Sequence, residues 1–200
     1  MTRATTYVAD TVACRITRQV VEPGVPALRV VSTFGFDDCG NLNSIQVVGS
    51  HPKGTPMTAR TTSFNYGVRC QLPETVTNAL AQTTSYAWRY DFGVPTRATD
   101  ANGLSTSWTH DEFGRRSSET ASDGTRTTRE YQSCSAGPCW GVHDLRLAVY
   151  DRRYGADGTL IREYQSFYDG LERMRVEGAH GALGKWLQRT YAYDALGRPV

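Results

Sequence analysis

The sequence predicts an all-β chain, made of consecutive antiparallel hairpins of about twenty residues each. Three observations predict it. An aromatic-Asp phrase closed by glycine returns along the chain, and Asn-Gly or Asp-Gly pairs fall between its copies. The segments between these turns alternate with period two and are rich in Tyr, Trp and Thr, the mark of strands with one buried face.

Taken in order, the first phrase is Phe36-Asp37-Asp38-Cys39-Gly40-Asn41, followed by a degenerate candidate at Phe64-Asn65-Tyr66-Gly67. The best helical candidate in the chain is Glu74 to Gln82, but the β-branched run Thr75, Val76, Thr77 weakens it. Thr84, Tyr86, Trp88 and Tyr90 then alternate with Thr83, Ser85, Ala87 and Arg89. Tyr90-Asp91-Phe92-Gly93 is one residue short, and Pro95 begins its return strand, where an edge or bulge tolerates it. Asp100-Ala101-Asn102-Gly103 precedes a row of Leu104, Thr106, Trp108 and His110, which runs into His110-Asp111-Glu112-Phe113-Gly114-Arg115.

Ser122-Asp123-Gly124 is the next intermediate turn, and Glu130-Tyr131 sits where a blurred anchor is expected. Tyr150-Asp151 with Gly155 reads as a looser copy, followed by Ala156-Asp157-Gly158. In Tyr168-Asp169-Gly170-Leu171-Glu172-Arg173, Glu172 stands in the glycine position and Gly170 offers the positive φ instead. Gly181 to Gly184 is the last intermediate turn. The row Leu187, Arg189, Tyr191, Tyr193 leads into Tyr193-Asp194-Ala195-Leu196-Gly197-Arg198. From Asp91 the Asp-to-Asp steps are 20, 40, 18 and 25. Residues 1–83 thus carry degenerate copies and 84–200 the regular array, which stops within a repeat, as expected of a piece of a longer array.

Each phrase joins three tasks. The Asp carboxylate accepts backbone N–H groups and pre-forms the turn. The Gly three residues on takes the left-handed conformation, and the aromatic residue faces the core.

Lys+Arg total 22 against 20 Asp+Glu, a net charge of +2 with no basic run, which argues against an electrostatic nucleic-acid binder. Only Lys53 and Lys185 are lysines. The arginine excess reflects either guanidinium packing on a Tyr-rich sheet or codon bias. No apolar stretch reaches the roughly 18 residues of a membrane span, and the N-terminus lacks the apolar segment of a signal peptide. Of five cysteines, Cys134 and Cys139 are the one close pair, open to a local disulfide, to free thiols or to a metal half-site.

The phrase Tyr-Asp-x-x-Gly-Arg at intervals near twenty residues resembles the YD repeats of bacterial Rhs (rearrangement-hotspot) proteins, shared with the B/C components of insecticidal toxin complexes and with teneurins. The match is best over residues 84–200. The resemblance implies a β-sheet that spirals into a hollow shell enclosing a toxic C-terminal segment, used in interbacterial competition or virulence. It implies that Phe36, Asp37, Gly40, Tyr90, Asp91, Gly93, His110, Asp111, Gly114, Arg115, Tyr168, Asp169, Arg173, Tyr193, Asp194, Gly197 and Arg198 are framework positions. The partners it implies are the rest of the shell and the enclosed segment. It also implies export by a specialised secretion system from a cytoplasmic start.

Catalytic signals are thin. His51, His110, His143 and His180 are scattered, and Gly-x-Ser-x-Gly, His-Glu-x-x-His and Walker-type loops are absent. One Asp per turn offers too few oxygens for calcium, and Asp111-Glu112 or Asp37-Asp38 point apart along a hairpin. No cofactor or metal is expected. Carbohydrate or cell-surface binding through Trp88, Trp108, Trp140 and Trp186 is the alternative reading, with strand burial of those indoles against it. A repeat segment alone is expected to be marginally stable and prone to association.

Overall fold

A computed structural model describes residues 4–134, 139, 144–180 and 186–200. The chain divides into two compact units, Met1–Leu104 and Ser105–Val200. The first is a meander of β1 (Thr5–Asp10), β2 (Arg15–Val21), β3 (Val30–Phe36), β4 (Leu42–Val48), β5 (Arg60–Asn65), β6 (Thr75–Thr77), β7 (Thr83–Arg89) and β8 (Val94–Thr99). Each strand pairs antiparallel with the next in sequence. Short 3-10 turns at Pro26–Leu28 and Gly67–Arg69 interrupt it.

The second unit repeats the plan with β9 (Ser105–His110), β10 (Arg116–Thr120), β11 (Arg126–Ser133), β12 (Leu145–Tyr154), β13 (Leu160–Asp169), β14 (Met174–His180) and β15 (Trp186–Thr190). Again every pairing is antiparallel and between sequence neighbours. The all-β hairpin architecture read from the turn phrases is the architecture observed.

Local contacts explain the thin cores. In the second unit Leu145, Ala148, Phe167 and Val176 are buried together, with Tyr150, Cys134 and Cys139 packed against them. The rings of Tyr150 and Phe167 meet edge to face, their centroids 6.4 Å apart. In the first unit Val20 is the only buried apolar side chain among the described residues. Burial is therefore spread over many half-covered strand residues, and the turns must do much of the work of holding register.

Four details differ from the sequence reading. Glu74 to Gln82 forms no helix; Thr75–Thr77 is a strand, and residues 78–82 make a turn. The β-branched run decided the matter. Tyr150 and Asp151 lie inside β12, not in a turn, because the reversal is made further on at Gly155 to Thr159. There Asp151 faces Arg129 across the ladder. Glu172, not Gly170, takes the positive φ in its turn, at 60°. Leu187 and Arg189 are exposed and Trp186 packs on His180 with ring centroids 4.1 Å apart, so of the last row only Tyr191 and Tyr193 are half-buried. Gly181 to Gly184, Trp140, His143 and the residues between Cys134 and Cys139 lie outside the described residues.

Candidate functional site

Within a meander, alternate turns fall on opposite edges, so the aromatic-Asp phrases collect along one edge of each unit. Their geometry is uniform. At Asp37, Asp111, Asp169 and Asp194 the Asp N–H donates to the carbonyl four residues on, and the N–H of the residue three on donates back to the Asp carbonyl. The Oδ1 of each Asp accepts the N–H groups two and four residues ahead, at 2.8–3.0 Å. The residue before the last is left-handed: Gly40 at φ 86°, Gly114 at 77°, Glu172 at 60° and Gly197 at 77°. This is the five-residue hairpin turn closed by a positive-φ bulge.

The same frame serves the opposite edge with different chemistry. Asp100 and Asn78 hold it as above, and Asn78 closes on Ala81 at φ 59°. The Asn78 turn was not legible, because neither Asn nor Ala matches the phrase. At Ala121 to Thr125 and Gly155 to Thr159 the acid moves to the third position. There Asp123 and Asp157 accept both the N–H and the hydroxyl of Thr125 and Thr159.

Asp91 departs from the pattern. Its carboxylate pairs with Arg89 Nε at 3.1 Å and stays largely exposed, while Phe92 N–H donates to the Arg89 carbonyl. The turn is one residue too short for the five-residue frame. Pro95 opposite Trp88 falls at a register shift, where its missing N–H costs no ladder bond.

Arginines complete the edge. Arg115 Nε reaches Asp111 at 2.7 Å and Arg198 Nε reaches Asp194 at 2.7 Å, while Arg173 Nε reaches Asp169 at 2.9 Å. Burial pushes the Asp169 carboxyl up, but the Arg173 guanidinium and the two backbone N–H groups outweigh it and hold it at about 2. Asp111 is lowered by the same contest, and Asp194 chiefly by the Arg198 N–H and side chain.

These arginines also reach forward. Arg115 lies over the ring of Tyr131 at 3.9 Å and Arg173 over Tyr193 at 4.9 Å; in the other unit Arg15 lies over Phe36 at 4.2 Å and Arg69 over Tyr90 at 4.5 Å. A guanidinium from one turn thus covers the anchor ring of the next repeat. Arg15 follows a longer turn, where Asp10 accepts the N–H groups of Val12 and Ala13, another copy the phrase did not reveal. Where Asn41 replaces arginine, its Nδ2 donates to the Cys70 carbonyl at 2.8 Å, and a Cys39–Cys70 disulfide ties the same two turns. That pairing was not foreseen. Cys134–Cys139 is also a disulfide, and Cys14 is free.

The anchor hydroxyls are spent as well. Tyr90 donates to Glu74 at 3.0 Å, and Tyr193 to the Met174 carbonyl at 2.8 Å. Burial and then Glu74 raise the Tyr90 pKa. Tyr168 and His110 sit half-buried beside their turns, and the buried Nδ1 of His110 has no hydrogen-bond partner. The Trp88 indole donates to the Pro73 carbonyl at 2.8 Å and stacks on the Tyr86 ring, centroids 5.7 Å apart, while the Trp108 indole donates to Glu119 at 2.9 Å.

Among the described residues His51, His110 and His180 fall in separate hairpins, and no group of three His, Cys, Asp or Glu side chains is placed to hold a metal ion. No helix among them is long and apolar enough to cross a membrane.

Residues 90–127 match the RHS Repeat family. This RHS repeat region contains the short Asp91 turn, the Asp100 and Asp111 turns, and the Asp123 turn in full. Among solved structures, the chain is similar to one in the crystal structure of TcdB2-TccC3, at 11% identity and a TM-score of 0.28. The similarity covers 99% of this chain and 16% of that one, so the chain spans about a sixth of that relative's length. No curated protein matches it.

Proposed function

We propose that this chain is a non-catalytic wall segment of a YD-repeat shell that encloses a toxic C-terminal polypeptide for delivery to another cell. The observation that carries the reading is the edge ladder, in which an Asp-held turn presents an arginine to the anchor ring of the following repeat. Such a device has no use in a single hairpin. It serves to keep successive hairpins in step, which is the requirement of an array whose units contact only their neighbours. The RHS repeat match at residues 90–127 supports the reading, as do the Asp111 and Asp169 carboxylates, which are held by structural hydrogen bonds within their turns.

On this reading the residues of the aromatic-Asp phrases are framework, the partners are further repeats and the enclosed segment, and the protein is exported by a specialised secretion route. The test is to determine whether the encoding frame extends into more such repeats and a downstream variable segment, and to image the whole product by electron microscopy. A hollow β shell holding that segment is the expected result. A product whose repeats form an open platform beside an unrelated domain overturns the reading.

A further inference from the structure

Strand order sets up an unusual pair on the second unit. Arg153 of β12 and Arg162 of β13 are direct cross-strand partners, and both are exposed. The opposite face of the same hairpin buries Gln165 and Phe167. Like charges placed directly opposite each other weaken a sheet. Other cations here avoid this: Arg152, on the far face, is divided between Glu130 and Glu163 at 2.8 and 2.7 Å.

Arg153 and Arg162 border an open groove of about 510 Å³ that also receives Arg116, Arg129, Glu119 and Asp151. Within it Arg116 pairs with Glu119 at 2.6 Å and Arg129 with Asp151 at 2.6 Å. The surplus is therefore Arg153 and Arg162, neither of which forms an ion pair among the described residues. Asp123 feels Arg153 through space, but its carboxylate is already held by Thr125.

We propose that this groove binds an acidic polypeptide segment, with Arg153 and Arg162 gripping one of its carboxylates. Two arginines at directly paired strand positions on the wall of one groove supply the planar donor forks that suit a carboxylate, and an anion bound by both removes their mutual repulsion. The acids within the groove disfavour a densely charged polymer such as a nucleic acid or a sulfated glycan. A sugar ring is disfavoured because Tyr164 and Tyr131 each already carry a guanidinium on one face, at 4.4 and 3.9 Å. The inference goes beyond the shell reading and needs only the second unit's sheet, so either can fail without the other.

The test uses the full chain and a short labelled peptide alternating Glu with Ser, followed by fluorescence anisotropy. Binding is expected, weakened by added salt and reduced about tenfold by Arg153→Gln or Arg162→Gln, each removing a charged hydrogen bond. Circular dichroism checks that these exposed substitutions keep the fold, and Arg129→Gln provides a second variant with a smaller expected loss. Equal binding by wild type and both Gln variants overturns the proposal. So does no binding of the peptide, or binding of an oligogalacturonate in its place.

Discussion

The guanidinium of Arg173 holds the Asp169 carboxylate at 2.8 Å through its Nη2 and at the same time lies over the ring of Tyr193, 4.9 Å from its centroid. One side chain thereby closes its own turn and covers the anchor of the next. The guanidinium is positioned by the acid before it meets the ring, so little further entropy is lost on stacking.

A double-mutant cycle with Arg173→Gln and Tyr193→Leu isolates that link. A coupling of about 0.5–1 kcal/mol is expected by denaturant unfolding, the scale of a partly exposed cation–π contact. Arg173→Lys is expected to recover only part of it, since an ammonium cannot both fork to the acid and lie flat on the ring. Strict additivity of the two single changes would show that the stack is incidental.

Glu172 at φ 60° and Ala81 at φ 59° occupy positions that glycine fills in the sister turns. An L side chain in the left-handed region costs about 1 kcal/mol. Glu172→Gly and Ala81→Gly are each expected to raise stability by about that amount, and Gly114→Ala to lower it similarly. A fall in the thermal midpoint of both glycine variants would mean that the side chains contribute contacts outweighing the backbone strain.

The contrast between these turns shows what sequence could reveal. The Asp111 turn was legible because each backbone demand is met by the residue type best suited to it: Asp to accept two N–H groups, Gly to go left-handed. The Asn78 turn has the same hydrogen bonds but meets them with Asn and Ala, and nothing local announces it. Tyr150-Asp151 failed in the other direction, carrying the words of a turn without a glycine three residues on, so the longer pairing with β11 prevailed. The Cys39–Cys70 bridge and the Ala148–Phe167–Val176 cluster depend on which strands become neighbours across a sheet. The arginine ladder was foreshadowed only as a preference of arginine for tyrosine; its step from one repeat to the next required register.

Acid should act through the same carboxylates. Asp169 is held at about 2 in the folded chain against a usual 3.8, so its contribution is complete above that usual value and is lost as pH falls toward 2. Asp111 and Asp194 are lowered too and act in the same direction. Stability measured by urea unfolding is expected to be flat near neutrality and to decline between about pH 4 and pH 2. Asp169→Asn should be less stable at pH 7 and show a shallower decline. An unchanged slope in that variant would remove Asp169 from the account.

The Cys39–Cys70 disulfide closes a separation of 31 residues and stands where the ladder lacks an arginine, Asn41 taking that place. Its loss should therefore be felt more than that of Cys134–Cys139, which spans only five. The loop-entropy relation gives about 3–4 kcal/mol for the longer loop and about 2 kcal/mol for the shorter. Cys39→Ala with Cys70→Ala is expected to lower unfolding free energy by the larger amount, and Cys134→Ala with Cys139→Ala by the smaller. Adding Asn41→Arg to the first double variant should restore part of the loss if a guanidinium can reach the Phe64 anchor, as its counterparts reach theirs. If the two cysteine pairs prove equal, or the arginine restores nothing, the bridge is not a substitute for the ladder, and the coupling of that pair of repeats rests on Asn41 and the strand pairing alone.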